Sequence, residues 1–175
     1  MRFDLDHALA VLSRTPSLVR TLVADLPAEW TERDEGAETW SAKEVVAHLV
    51  FGERTDWIPR LRILLRDGEA RPFDPFDQRG HASLMREHDV AGLVELFARE
   101  RAESLDTLRA VRLTAADLER RGTHPTFGPV TLGNLLATWV VHDLNHIGQI
   151  CRAECHQYRD AVGPWVAFLG ILDRT

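Results

Sequence analysis

The sequence predicts an all-α protein, a four-helix bundle with long loops between helices 2 and 3 and between helices 3 and 4. Three observations lead to this reading. Apolar residues recur at helical spacing along most of the chain, whereas β-type alternation is confined to short runs. Helix-start signals stand directly before the apolar stretches. Segments rich in Pro, Gly and Asp separate those stretches, and two of them are long.

The first helical segment runs from about Asp4 to Leu26, with Leu5, Leu9 and Leu12 at helical spacing. Pro16 interrupts it, and Thr15 as cap with Pro16 as first helical residue restarts the helix in a new direction. The second helix has the clearest start. Ser41 followed by Glu44 forms a capping box ahead of V-V-A-H-L-V, and the pattern continues to about Arg66 with a kink expected at Pro59. Residues 67–88 read mostly as a long connection, of the kind that serves as a lid or binding element. Asp89 caps a third helix through about Val111, with Leu93, Leu96, Phe97, Leu105 and Leu108 inward. Thr114 to Arg120 reads as a short helical turn, and 121–130 as turn or short extended chain. Thr131 opens the fourth helix, which extends to about Tyr158. After Gly163 and Pro164, W-V-A-F-L-G-I-L forms a short terminal helix or cover.

A chain of 175 residues suits one domain, 1–175, with a sizeable core. Its 45% hydrophobic and 27% charged residues are those of a soluble globular protein. A net charge of -6 argues against nucleic acid or an anionic membrane as partner. No run approaches the ~18–20 apolar residues of a membrane span, and M-R-F-D-L-D-H is no signal peptide, so a cytoplasmic location is expected. Cys151 and Cys155, four apart on the fourth helix, read as reduced thiols that cannot alone complete a tetrahedral metal site.

The histidines carry the chemistry. On the fourth helix, Leu132, Leu135, Trp139 and Ile150 define an apolar face, and His142 and His146 fall inside it, one turn apart. On the second, His48 lies near the arc of Val45, Leu49 and Gly52. Three imidazoles from two helices therefore point into one interior. A buried imidazole needs a partner, at a cost of about 1–3 kcal/mol per unsatisfied group. One divalent metal satisfies all three, and backbone carbonyls or carboxylates are the alternative. His7, His81, His88, His124 and His156 read as solvated, with His81 or His88 over the site if the long loop folds back.

The run W-S-A-K-E-V-V-A-H-L (Trp40–Leu49) and the distant H-D-L-N-H-I-G-Q-I (His142–Ile150) resemble the DinB/YfiT-like superfamily of damage-inducible metalloproteins, which is unrelated to the DNA polymerase sharing the name. T-P-S-L-V-R-T-L, G-P-V-T-L-G-N-L-L and the late G-P-W extend the resemblance over nearly the whole chain. It implies an up-and-down four-helix bundle, a metal held by His48, His142 and His146, and in many members a homodimer.

Three neutral imidazoles leave a metal an open position, where a water becomes a hydroxide nucleophile or a thiol binds as thiolate. The resemblance implies either activity, and transfer of a low-molecular-weight thiol (bacillithiol, mycothiol or glutathione) to an electrophilic small molecule is the first choice. Metal-dependent hydrolysis and a non-catalytic, metal-stapled stress-response protein are the alternatives. Zinc is the default ion, with nickel, iron, manganese or copper compatible. Substrate contacts are expected from Gln149, one turn beyond His146, from Trp139 as a pocket wall, and from Arg60 as a carboxylate clamp. Asp143 is expected to support a neighbouring imidazole or to pair with an arginine, and Glu44 to act only in its capping box.

Overall fold

A computed structural model describes residues 1–173. The helical pattern holds through the chain, and the capping signals mark where the helices begin. The first bundle segment is α1 (Leu5–Leu12), capped by Asp4, followed by α2 (Thr15–Val23). The break falls at Ser13 and Arg14. Thr15 is not the cap but the first helical residue, with its side chain buried, and Pro16 occupies the second position where no N–H is needed. A single turn, α3 (Ala28–Thr31), precedes the second segment.

The second segment is α4 (Ala42–Gly52), with both bonds of the Ser41–Glu44 capping box formed. It passes through a π-helical turn, Glu53–Trp57, into α5 (Ile58–Arg66). Pro59 thus acts on the turn before it: without an N–H, and with its ring against the preceding turn, it widens the helix instead of sharply breaking it. The third segment is α7 (Val90–Val111), capped by Asp89. The fourth is α9 (Leu132–His156), opened by a Thr131–Asn134 capping box. The long loops are less bare than the sequence suggested. Between helices two and three stand a 3-10 turn and α6 (Ala82–Glu87). Between three and four stand α8 (Ala115–Leu118) and a hairpin of β1 (Arg121–His124) and β2 (Gly128–Thr131), antiparallel with Arg121 opposite Thr131. Gly128, at φ 72°, takes the left-handed conformation where the chain leaves the hairpin turn and enters β2. The terminal W-V-A-F-L-G-I-L is two 3-10 turns.

The α4–α5 segment packs on α7 and α9, and the α1–α2 segment packs chiefly on the same pair, so the first segment lies diagonally across from the second. The core forms two apolar layers. One is built from Val45, Val46, Leu49, Leu93, Phe97 and Ile150; the other from Leu61, Leu64, Leu105, Leu108, Leu135 and Trp139. Between them lies a polar layer. Glu53, Arg101 and Asp143, one from each of the three central segments, occupy it.

Candidate metal centre

His48, His142 and His146 meet at one edge of that polar layer. Nε2 of His142 lies 3.2 Å from Nε2 of His48 and 3.1 Å from Nε2 of His146. The helical spacing of 142 and 146 brings their rings edge to face on one side of α9, and α4 brings His48 against them. Trp40 closes the group from the side, its ring 4.8 Å from that of His48 and stacked at 6.2 Å on that of His146. The Trp57 ring meets His142 edge-on at 5.0 Å.

Electrostatics keeps the rings neutral. Burial, with the neighbouring imidazoles adding to it, pushes His48 down to about 3 and His142 to about 2, and burial lowers His146 as well. Gln149 sets the third tautomer: its carbonyl oxygen stands 2.8 Å from His146 Nδ1, so that Nδ1–H donates to it and Nε2 keeps its lone pair. Three Nε2 atoms so close cannot satisfy one another by hydrogen bonding alone, because a neutral ring offers one donor and one acceptor. A zinc–nitrogen distance of about 2.0–2.1 Å spaces tetrahedral ligands about 3.3 Å apart, close to the separations seen. The residues fit a divalent ion. The group of potential ligands comprises these three alone among the described residues, without a carboxylate or thiolate to close the sphere.

The rings open on a cavity of about 650 Å³. Its walls include Trp40, Phe76 and, from the hairpin tip, His124 and Phe127. Asp56 and Arg60, buried and paired at 2.6 Å between Arg60 Nε and Asp56 Oδ1, form a polar end. Burial raises the Asp56 carboxyl to about 6 although Arg60 opposes the shift. Gly80 admits the covering loop: a Cβ there would run into the Phe51 ring, and the close approach seats buried His81 with its ring 5.9 Å from that of His48.

A model of the DinB superfamily matches residues 12–150, a span that includes all three histidines. The chain belongs to the DinB superfamily. A protein of Oceanobacillus iheyensis, provisionally named a metal-dependent hydrolase, is 23% identical over 135 residues, which cover 77% of each chain. Among solved structures, YfiT from Bacillus subtilis matches with a TM-score of 0.73 and 24% identity, covering 90% of this chain and 87% of that one. YfiT is described as a probable metal-dependent hydrolase with an unusual four-helix bundle topology.

Within this DinB bundle the other sequence-predicted residues separate. Arg60 lines the cavity. Gln149 is spent on His146. Trp139 does not wall the cavity: it is fully buried, stacked at 5.5 Å on Trp57, and its indole N–H donates to Glu53 Oε1 at 3.2 Å. An indole whose one donor is satisfied inside the core has no reason to face a substrate. Asp143 pairs with Arg101, at 2.6 Å, not with an imidazole. His81 takes the alternative expected of a folded-back loop, buried beside Trp40 and His48 and not solvated, and His124 belongs to the cavity wall. Asp56, Phe76 and the hairpin tip were missed. For Asp56 a signal existed, since positions 48, 52, 56 and 60 run at four-residue spacing along one helical stripe. No infilling signal marks Phe76 or the hairpin, whose cavity role depends on how the loops fold back.

No described helix is long and apolar enough to cross a membrane. Cys151 and Cys155 are unpaired and half-buried.

Proposed function

We propose that the chain is a metal-dependent enzyme that hydrolyses a small molecule in the cavity above His48, His142 and His146. The convergence of three neutral Nε2 atoms on a cavity carries this reading. The names of the Oceanobacillus and Bacillus relatives support hydrolysis over other metal chemistry. A divalent ion, zinc by default, supplies Lewis acidity and a nucleophile usable at neutral pH. The protein's own residues supply the rest. Gln149 holds the proton on His146 Nδ1, and Trp40 shields the ligand rings. Asp56 and Arg60 form the cavity's polar end, where the Asp56 carboxylate orients the Arg60 guanidinium. The same reading includes a cytoplasmic homodimer acting on a small-molecule substrate.

Thiol transfer, the first choice from the sequence, becomes the second reading, because a three-histidine site with an open position also accepts a thiolate. One experiment separates the two. The zinc-loaded protein is screened against p-nitrophenyl esters and N-acyl amides, and in parallel against 1-chloro-2,4-dinitrobenzene with bacillithiol, mycothiol or glutathione. The expected result is metal-dependent hydrolysis that disappears in His48→Ala, His142→Ala and His146→Ala alike, each variant keeping the metal-free fold by circular dichroism. Thiol-dependent turnover without hydrolysis replaces the first reading with the second. Bound metal and no turnover of either kind returns the ion to a structural staple.

A further inference from the structure

The cavity has a second pole. Arg60 is the only lysine or arginine among the described residues that line it, in a chain of net charge -6. The side chain is fixed before any ligand arrives. Its Nε faces Asp56 Oδ1 at 2.6 Å, and its guanidinium carbon lies 5.3 Å from the centre of the buried Phe73 ring. Phe73 is itself tied to the hairpin through its N–H, which donates to the Thr123 carbonyl at 2.9 Å. With Nε turned to Asp56, the edge formed by the two Nη nitrogens is left over. Those nitrogens have no hydrogen-bond partner among the described residues, and they are not among the buried side-chain atoms sealed from solvent. An immobilised guanidinium with a free two-nitrogen edge matches a planar oxyanion, which it binds through two parallel bonds.

The surroundings narrow the ligand. His124, nearby on the hairpin, is held below its ordinary value by burial and by Arg60 itself, so it adds no second cation. A guanidinium whose charge is already partly met by Asp56 suits a singly charged carboxylate better than a multiply charged phosphate. Much of the remaining lining is apolar, with Phe76 beside the His48 ring and Pro125 and Phe127 from the hairpin tip. Phe127 stands exposed, stacked at 4.5 Å on His124.

We propose that the substrate is a small carboxylate-bearing molecule with an apolar body, its carboxylate held by the Nη edge of Arg60 and its reacting group presented to the three histidines. This rests on the enzyme reading for the reacting end alone. The carboxylate subsite belongs to Arg60 and is testable without turnover.

The probe is 3-phenylpropionate, with the neutral 3-phenylpropionamide as its isostere, titrated calorimetrically into the metal-free protein so that no carboxylate reaches a metal. The expected result is a preference of at least tenfold for the acid, lost in Arg60→Gln and largely lost in Arg60→Lys, which keeps the charge but not the fork. Asp56→Asn removes the competing anion and is expected to tighten the acid severalfold while leaving the amide unchanged. It keeps the subsite testable if the Arg60 variants fail to fold. Equal binding of acid and amide, or a preference that survives Arg60→Gln, overturns the subsite. Displacement of the acid by inorganic phosphate at lower concentration overturns its assignment to a carboxylate. Absence of hydrolysis in the zinc-loaded protein, with the acid preference intact, removes the reaction and leaves the subsite standing.

Discussion

Arg101 and His142 lie in adjoining parts of the same buried layer, and their surroundings differ in how polar groups are answered. Arg101 is 1% exposed and all five of its N–H groups are used. Nε and Nη2 donate to Glu53 Oε1 at 3.0 and 2.8 Å, Nη1 and Nη2 donate to Asp143 at 2.6 and 2.9 Å, and Nη1 also reaches the Leu12 carbonyl at 3.0 Å. One side chain thereby ties together all four bundle segments. The histidine group is the reverse. Three Nε2 atoms crowd together around His142, and Nδ1 of His48 and of His142 is buried without a partner. Arg101 answers its two carboxylates from the inside, with Glu53 Oε2 the one atom of the three side chains left buried without a partner, and this cluster holds the bundle together. The histidines form an open one, whose unmet demand is that of a binding site.

The largest expected effect tests the closed half. Arg101→Met strips the cation from two buried carboxylates, and the loss of one partner from a buried ionic cluster costs about 3–5 kcal/mol. Urea denaturation is expected to show that loss equally with and without zinc. A variant as stable as the wild type would show that Glu53, whose carboxyl burial pushes up against the pull of Arg101, takes a proton and leaves the cluster self-sufficient.

Asp56 sharpens the comparison on the open side. Its carboxyl stands at about 6 against an ordinary 3.8, so between those values the folded protein binds the proton that the unfolded chain has released. The contribution of Asp56 to stability is therefore fully present below about pH 4 and lost as pH rises through about 6. The gap corresponds to on the order of 3 kcal/mol at most. Asn cannot titrate, and Arg60 keeps its charge throughout, so Asp56→Asn is expected to gain on the wild type as pH rises from 4 to 7. Parallel stability curves from thermal melts across that range would place Asp56 in water, not in a desolvated cavity wall.

The two clusters also differ in how far the sequence exposes them. Caps are local, so Ser41, Asp89 and Thr131 mark their helices within a residue or two. His142 and His146 are legible because four-residue spacing alone puts them on one face of a helix. Arg101 is not legible at all, since its carboxylates lie 48 and 42 residues away, and an arginine in the middle of a polar-looking helix reads as surface. Trp139 was misplaced for the same reason: the acceptor that satisfies its indole is Glu53, on another helix. The hairpin, with R-G-T-H and G-P-V-T as its strands, has neither the alternation nor the length of a strand signal. It exists because it packs on α5, where Gly122 lies so close to Leu64 that a Cβ would collide.

Within the open cluster the smallest expected effect comes from Gln149. Only His146 of the three ligands has its second nitrogen answered, by the Gln149 carbonyl oxygen at 2.8 Å, and such outer partners typically tune metal affinity by 10- to 100-fold. Gln149→Leu removes the acceptor while keeping the bulk, so zinc affinity, read by competition with a chromophoric chelator, is expected to fall by about tenfold. Gln149→Glu places a carboxylate against the same Nδ1–H and is expected to raise affinity instead, since a stronger acceptor makes the opposite nitrogen a better donor to the metal. Opposite signs from the two variants show that the hydrogen bond acts through the ring. If neither variant moves the affinity by more than about twofold, His146 is held by its stacking on Trp40 and the outer partner is incidental.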